Sequence, residues 1–72
     1  MNPDLYALPR YPGVVVPLSA CDGNAFAVLG MVERTLARAG VSRSEIAAFR
    51  AEATSGSYDN LLVTVMRWVN AE

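Results

Sequence analysis

All four prolines of the chain lie within its first 17 residues, at positions 3, 9, 12 and 17. Because proline lacks the amide hydrogen and its ring clashes with the preceding helical turn, a regular helix is excluded from this stretch. The β-branched run Val14–Val16, bounded by proline on both sides, is typical of a short edge strand. We therefore predict that residues 1–20 form an extended arm. Its pairing is left open: Leu5 to Leu8 could pair with the valines as a hairpin, or the valines could lie across helices.

The rest of the chain, residues 21–72, has the apolar periodicity of three helices, which we predict at about 24–39, 43–54 and 58–70. The expected fold class is mainly α: a compact three-helix domain with an extended N-terminal arm whose β-pairing stays open. The positions predicted to be buried are Val28, Leu29, Val32, Leu36 and Ala39 in the first helix and Ile46, Phe49 and Ala53 in the second.

Cap residues mark the ends of these helices. Gly40 can supply the left-handed residue that ends the first helix. The segment S-R-S-E matches a capping box, in which the side chains of Ser42 and Glu45 each accept a hydrogen bond from the other's backbone amide. Ser57 is the predicted cap of the third helix, with Asp59 in the first turn, where the helix dipole favours an anion.

The third helix has more apolar residues than one buried face needs. From Tyr58 to Val69 they span an arc of roughly 160°, and Val63 lies on the polar side besides. Composition agrees, since roughly 56% of the residues are apolar when glycine is counted and tyrosine is not, against about 45–50% in an ordinary domain. In so short a chain this excess leaves apolar side chains exposed, and such patches mark contact surfaces.

These observations predict a binding surface for a protein partner or a second subunit. The predicted partner-binding residues are Tyr58, Leu62, Val63, Met66 and Trp68 of the third helix and Val15 of the arm. Two interpretations of Trp68, Tyr58 and Met66 stay open: they form a core cluster, or they are interface anchors, residue types enriched where partners dock. In a homodimer the same helix could serve both roles.

The only cysteine, Cys21, stands in the segment CDGNAF ahead of the first helix. A helix N-terminus favours the reactive thiolate, but the adjacent Asp22 disfavours it, and the chain has no histidine to act as a base. Asp22 and Asn24 are both N-cap types, and Gly23 gives the turn its freedom. We interpret the segment as a helix start; a reactive thiol or an intermolecular disulfide is the alternative.

No pattern in the sequence predicts catalysis. The seven acidic residues are scattered singly rather than paired for acid–base chemistry. With Cys21 as the only soft ligand and no histidine, a structural zinc site has too few ligands. The segment GNAFAVLG lacks the Lys-Ser/Thr pair of a phosphate-binding loop. We predict that the protein is not an enzyme and has no catalytic, cofactor-binding or metal-binding residues.

The charges argue against a nucleic-acid partner. The net charge is −1 and lysine is absent, so the basic footprint that displaces counterions is missing. Arg34 and Arg38 form an i, i+4 pair, which is either a solvated face or a contact for an anion. A helix-turn-helix made of the second and third helices is the alternative, with Asn60, Thr64 and Arg67 turned to the DNA groove.

The sequence predicts no membrane segment. The least charged window, residues 11–32, contains two prolines and several glycines, so it does not suit a spanning helix of about 20 residues. The N-terminus lacks the basic start and apolar run of a signal peptide. A lone thiol stays reduced in the cytosol, and we predict a cytoplasmic protein.

Three segments resemble a group of small uncharacterised prokaryotic and phage-borne open reading frames: DGNAFAVLG (22–30), RAGVS (38–42) and EATSGSYDNLL (52–62). The resemblance spans about two-thirds of the chain, omits the arm and carries over no catalytic residues. It implies a phage or mobile-element setting, in which small helical proteins often block a larger host protein, as anti-CRISPR inhibitors do.

Taken together, the sequence predicts a small non-enzymatic interaction module that binds and blocks a protein partner, with homo-oligomerisation expected as well. The alternatives are a small helix-turn-helix-like transcription regulator and a structural homo-oligomer subunit.

Overall fold

The computed structural model describes residues 8–18 and 23–72. The elements along the chain are β1 (Tyr11–Val16), α1 (Ala25–Arg38), α2 (Arg43–Ala53), α3 (Tyr58–Trp68) and β2 (Val69–Ala71). The mainly α, three-helix prediction is thereby confirmed, and the N-terminal arm is β-paired. The predicted turn at Cys21 and Asp22 lies outside the described residues.

The helices begin at side-chain caps. The caps are Asn24, Ser42 and Ser57, whose side-chain oxygens accept backbone amide hydrogen bonds of 2.8, 3.3 and 3.3 Å. Gly40 follows α1 with φ +87°, the left-handed conformation that suits glycine. The glutamate half of the predicted capping box is wrong, because Glu45 turns its carboxylate to the arm and binds Arg10 and Tyr11 there.

The partner of β1 is the C-terminal end of the chain. The paired residues of this parallel two-stranded sheet are Tyr11 with Val69, Val15 with Asn70 and Val16 with Ala71, with an irregular register between the first pair and the second. The third helix was predicted to continue to residue 70; it ends at Trp68, because the next three residues are extended and pair with β1. Of the hairpin alternative, residues 5–7 lie outside the described residues, and Leu8 is not in a strand.

The arm and the helices share one core. Along β1, Val14 and Val16 are buried while Val15 between them is exposed, as expected for a strand that covers the helices with one face. The buried apolar residues are Val14, Val16, Val28, Leu29, Val32, Leu36, Phe49, Ala53, Leu61, Val65, Trp68 and Val69. The predicted buried positions are confirmed except for Ala39, which is exposed, and Ile46, which is half-buried against the core.

Trp68 joins the arm to the helices. Its side chain is 4% exposed, with Phe49 packed edge-on at a ring-centroid distance of 5.6 Å and Tyr11 tilted against it at 6.0 Å. The guanidinium carbon of Arg10 lies 4.7 Å from the centre of the indole, a cation–π contact. The indole Nε1 donates a hydrogen bond of 3.1 Å to Glu52 Oε2, so the polar atom of the ring is satisfied.

Two further contacts, both to Glu45, connect the arm to α2 beside the indole. Glu45 Oε1 accepts a 2.8 Å hydrogen bond from the Tyr11 hydroxyl and forms a 2.6 Å ion pair with Arg10 Nη2. We call the group around the indole the Trp68 cluster; it consists of Arg10, Tyr11, Glu45, Phe49, Glu52 and Trp68. It links the arm, α2 and the end of α3.

Candidate protein-interaction surface

An apolar groove lies where the start of α1, the end of α2 and the start of α3 meet. Its volume is about 230 Å³, and it is lined by Ala25, Phe26, Leu29, Ala53, Thr54, Gly56, Ser57, Tyr58 and Leu61. Phe26 is 80% exposed at its rim, and Tyr58 is 41% exposed. We call this the α1–α3 groove.

The turn between α2 and α3 forms one wall of the groove and is tightly hydrogen-bonded. Asn60 Nδ2 donates to the backbone oxygen of Glu52 at 3.0 Å and to Ser55 Oγ at 3.3 Å. The hydroxyls of Thr54 and Ser55 donate to backbone oxygens of α2, both at 2.7 Å. These bonds connect the turn to α2 and to the start of α3 and stabilise this wall of the groove.

A second exposed surface runs along α3. Met66 is 56% exposed and Val63 40% exposed, and Leu62 beside them is half-buried. The charged residues Asp59 and Arg67 lie near the two ends of this stretch, and both are exposed. We call Asp59, Leu62, Val63, Met66 and Arg67 the outer face of α3.

The structure separates the predicted partner-binding residues into two groups. Tyr58, Leu62, Val63, Met66 and Val15 are exposed or half-buried, so a partner can reach them. Trp68 is not on the surface: it is 4% exposed and is enclosed by the Trp68 cluster. Its placement in the partner-binding set was therefore wrong, because the arm covers the end of α3, and the core interpretation holds for this residue alone.

Phe26 is the surface residue that sequence reasoning missed. The buried face of α1 is formed by Val28, Leu29, Val32 and Leu36. At 100° per residue Phe26 falls about 60° outside the nearest member of that set. The feature of the sequence that could have identified Phe26 as a surface residue is therefore its position, as a large aromatic residue, outside the buried arc of α1.

Arg34 and Arg38, the predicted anion contact, are both exposed on α1. Glu33 beside them does not pair with either; it forms a 2.8 Å ion pair with Arg50 of α2. The anion contact stays a prediction.

Two of the three polar residues of α3 that a DNA-reading helix would need are hydrogen-bonded within the protein. Thr64 is 1% exposed and donates to the backbone oxygen of Asn60 at 2.7 Å. The Asn60 amide is bonded to the turn. Of the three candidates for base contact only Arg67 is exposed.

The Trp68 cluster contains a hydroxyl group whose pKa is shifted. The hydrogen bond to the Glu45 carboxylate, together with desolvation and the negative charge of Glu45, raises the pKa of the Tyr11 hydroxyl. Tyr11 does not line the α1–α3 groove. Within residues 8–18 and 23–72, no three side chains of metal-ligating type come together.

No helix in the described part of the chain combines the length and apolar character required to span a bilayer. Comparison with known proteins gives no relative: no family model, no curated protein and no solved structure matches this chain.

Proposed function

We propose that the protein is a small non-enzymatic interaction module that binds a protein target in the α1–α3 groove. The observation that carries the proposal is Phe26, a large aromatic side chain held 80% exposed at the rim of an apolar groove. Exposed in this way, it contributes little to the stability of its own domain. Aromatic residues, phenylalanine among them, are enriched where protein partners dock.

The size of the groove supports a protein target rather than a cofactor. Its volume of about 230 Å³ lies below the range of about 300–1,000 Å³ typical of small-molecule sites. A space of this size suits one or two apolar side chains from another protein. Of the hydroxyl residues that line it, Thr54 and Ser57 already bond within the protein, and the Tyr58 hydroxyl can accept or donate a hydrogen bond at the rim of an interface.

We further propose that the module acts as a cytoplasmic inhibitor from a phage or mobile element. This step depends on the resemblance of DGNAFAVLG, RAGVS and EATSGSYDNLL to phage-borne reading frames. Two of these segments contribute lining residues to the groove: DGNAFAVLG supplies Phe26 and Leu29, and EATSGSYDNLL supplies Tyr58 and Leu61. The resemblance and the groove therefore coincide.

The test compares two substitutions of nearly equal exposure. Phe26 is 80% and Leu8 is 81% exposed, but only Phe26 lines the groove. The natural chain, Phe26→Ser and Leu8→Ser are immobilised, incubated with bacterial lysate, and the retained proteins are quantified by mass spectrometry. We expect a stoichiometric protein that the natural chain and Leu8→Ser retain and that Phe26→Ser loses by roughly tenfold or more, the size of a modest hot spot. If Phe26→Ser retains the same proteins, or no protein is retained stoichiometrically, the proposal is wrong.

A further inference from the structure

We infer that the outer face of α3 binds the same face of a second copy of this chain, with the two helices antiparallel and the two-fold axis close to Val63. This interaction is separate from target binding in the groove. It is carried by the order of side chains on α3, by their exposure and by the position of the two charges.

The outer surface of α3 consists of two neighbouring rows at i, i+4 spacing. One row contains the apolar residues Leu62 and Met66 of the outer face and begins at Tyr58, which lines the α1–α3 groove. The other has an acid, a small apolar residue and a base in the order Asp59, Val63, Arg67. Within the domain this face is only partly covered: Leu62 is half-buried, Val63 is 40% exposed and Met66 is 56% exposed.

The charged row is complementary to itself when reversed. Asp59 and Arg67 lie four residues before and four residues after Val63. A two-fold axis at Val63 therefore brings Asp59 of each copy to Arg67 of the other, and two ion pairs form at once. The ion pairs among the described residues, Arg10 with Glu45 and Arg50 with Glu33, engage neither of these side chains.

The same charges disfavour the parallel arrangement. In a parallel pair in register, Asp59 would face Asp59 and Arg67 would face Arg67, and both contacts are repulsive. A target protein of different sequence would have to supply a matching acid and base at the same spacing. A second copy supplies them by symmetry, which is why we assign this face to self-association.

Helix packing allows this register. Rows at i, i+4 spacing interdigitate when two helices cross at about −50°, the commonest arrangement in globular proteins. Val63 at the crossing point is small enough for close approach, and Leu62 and Met66 of each copy then cover the valine of the other. The buried area of one short helix face is below about 1,200 Å², so the dimer is expected to be weak and in exchange with monomer.

The experiment reverses the charges one at a time and then together. Asp59→Arg gives a face with two bases, and Arg67→Asp gives a face with two acids. Sedimentation equilibrium should show each variant dimerising roughly tenfold or more weakly than the natural chain, because two attractive contacts become repulsive. An equimolar mixture of the two variants should dimerise again, as should the double variant Asp59→Arg/Arg67→Asp. Arg34→Asp, an equal change of charge on α1, should dimerise like the natural chain.

Circular dichroism verifies that each variant is folded, and Val63→Glu provides an independent disruption at the axis should a charge variant not fold. A natural chain that is monomeric at millimolar concentration overturns the inference. So does a dimer that the single variants leave intact or that the mixture does not restore, since either result places the contact on another face. Phe26→Ser should leave the dimer unchanged, so the inference and the groove proposal fail separately.

Discussion

The two ends of α3 each present an aromatic residue, and the two residues have opposite environments. Trp68 at the C-terminal end is 4% exposed, while Tyr58 at the N-terminal end is 41% exposed. Trp68 is covered because the arm crosses that end of the helix and brings Tyr11 and Arg10 onto the indole. At the other end no described element lies over Tyr58, which instead lines an open groove.

The comparison shows that the arm accounts for the burial of Trp68, whereas Leu61 and Val65 of α3 are buried in the core shared with the other helices. The helix has more apolar residues than its contacts with α1 and α2 need, and the arm covers Trp68 while Met66, two residues before it, stays 56% exposed. Those that β1 leaves exposed lie toward the start and along the outer face, where another chain can bind.

The largest expected effect is at Trp68. Trp68→Ala removes the ring that Phe49, Tyr11 and Arg10 contact, and it leaves Glu52 without its hydrogen-bond donor. We expect a loss of about 3–5 kcal/mol in the free energy of unfolding, which is most of the stability of a domain this small. Met66→Ala, on the exposed side of the same helix, should change it by less than about 0.5 kcal/mol. Urea denaturation followed by circular dichroism measures both. Equal losses in the free energy of unfolding for the two variants would contradict the difference in burial between Trp68 and Met66.

A smaller loss in the free energy of unfolding is expected for a substitution in β1, the strand that contributes Tyr11 to the Trp68 cluster. Val16→Thr places a hydroxyl at a position that is 0% exposed, and without a partner there it should cost about 1–3 kcal/mol. Val15→Thr is the same substitution at the neighbouring position, which is 43% exposed, and it should cost less than about 0.5 kcal/mol. A similar cost at both positions, again from urea denaturation, would show that β1 does not pack against the helices with one face only.

The smallest expected effect is on the way in which folding stability changes with pH. Because the Glu45 carboxylate raises the pKa of the Tyr11 hydroxyl in the folded state, the folded protein keeps this proton more firmly than the unfolded chain. The resulting stabilisation is present below the ordinary tyrosine pKa of about 10 and is lost as the pH rises through the folded-state value. Denaturation midpoints measured between neutral pH and the alkaline range should therefore fall more steeply for the natural chain than for Tyr11→Phe. A Tyr58→Phe variant should keep the steep fall, and identical slopes for all three would contradict the role of Glu45.

The local features of the fold were readable from the sequence. Ser42, Ser57 and Gly40 are cap residues whose preference comes from their own side chain or lack of one, and all three mark helix ends as predicted. The β-branched run Val14–Val16 likewise predicted a strand, and the apolar period placed α1 and α2 within one residue of their bounds.

What the sequence left open depends on contacts between distant residues. β2 is only three residues long, and nothing local distinguishes Val69–Ala71 from one more turn of α3. It is extended because its backbone pairs with β1 from the other end of the chain. The burial of Trp68 has the same origin, since Tyr11 and Arg10 come from the arm. The candidate site shows the same difference between local and long-range features. The exposed residues of α3 were predicted from the sequence, whereas the α1–α3 groove was not, because it forms only when α1, α2 and α3 meet.

The most direct test of the account is to follow the backbone amide chemical shifts of the ¹⁵N-labelled protein from micromolar to millimolar concentration. The account predicts concentration-dependent shifts at the outer face of α3, centred on Val63, with the amides of Arg10 and Tyr11 in the Trp68 cluster unchanged. A spectrum that does not change with concentration, or one whose changes centre on the Trp68 cluster, would contradict the claim that the exposed residues of α3 bind a second chain.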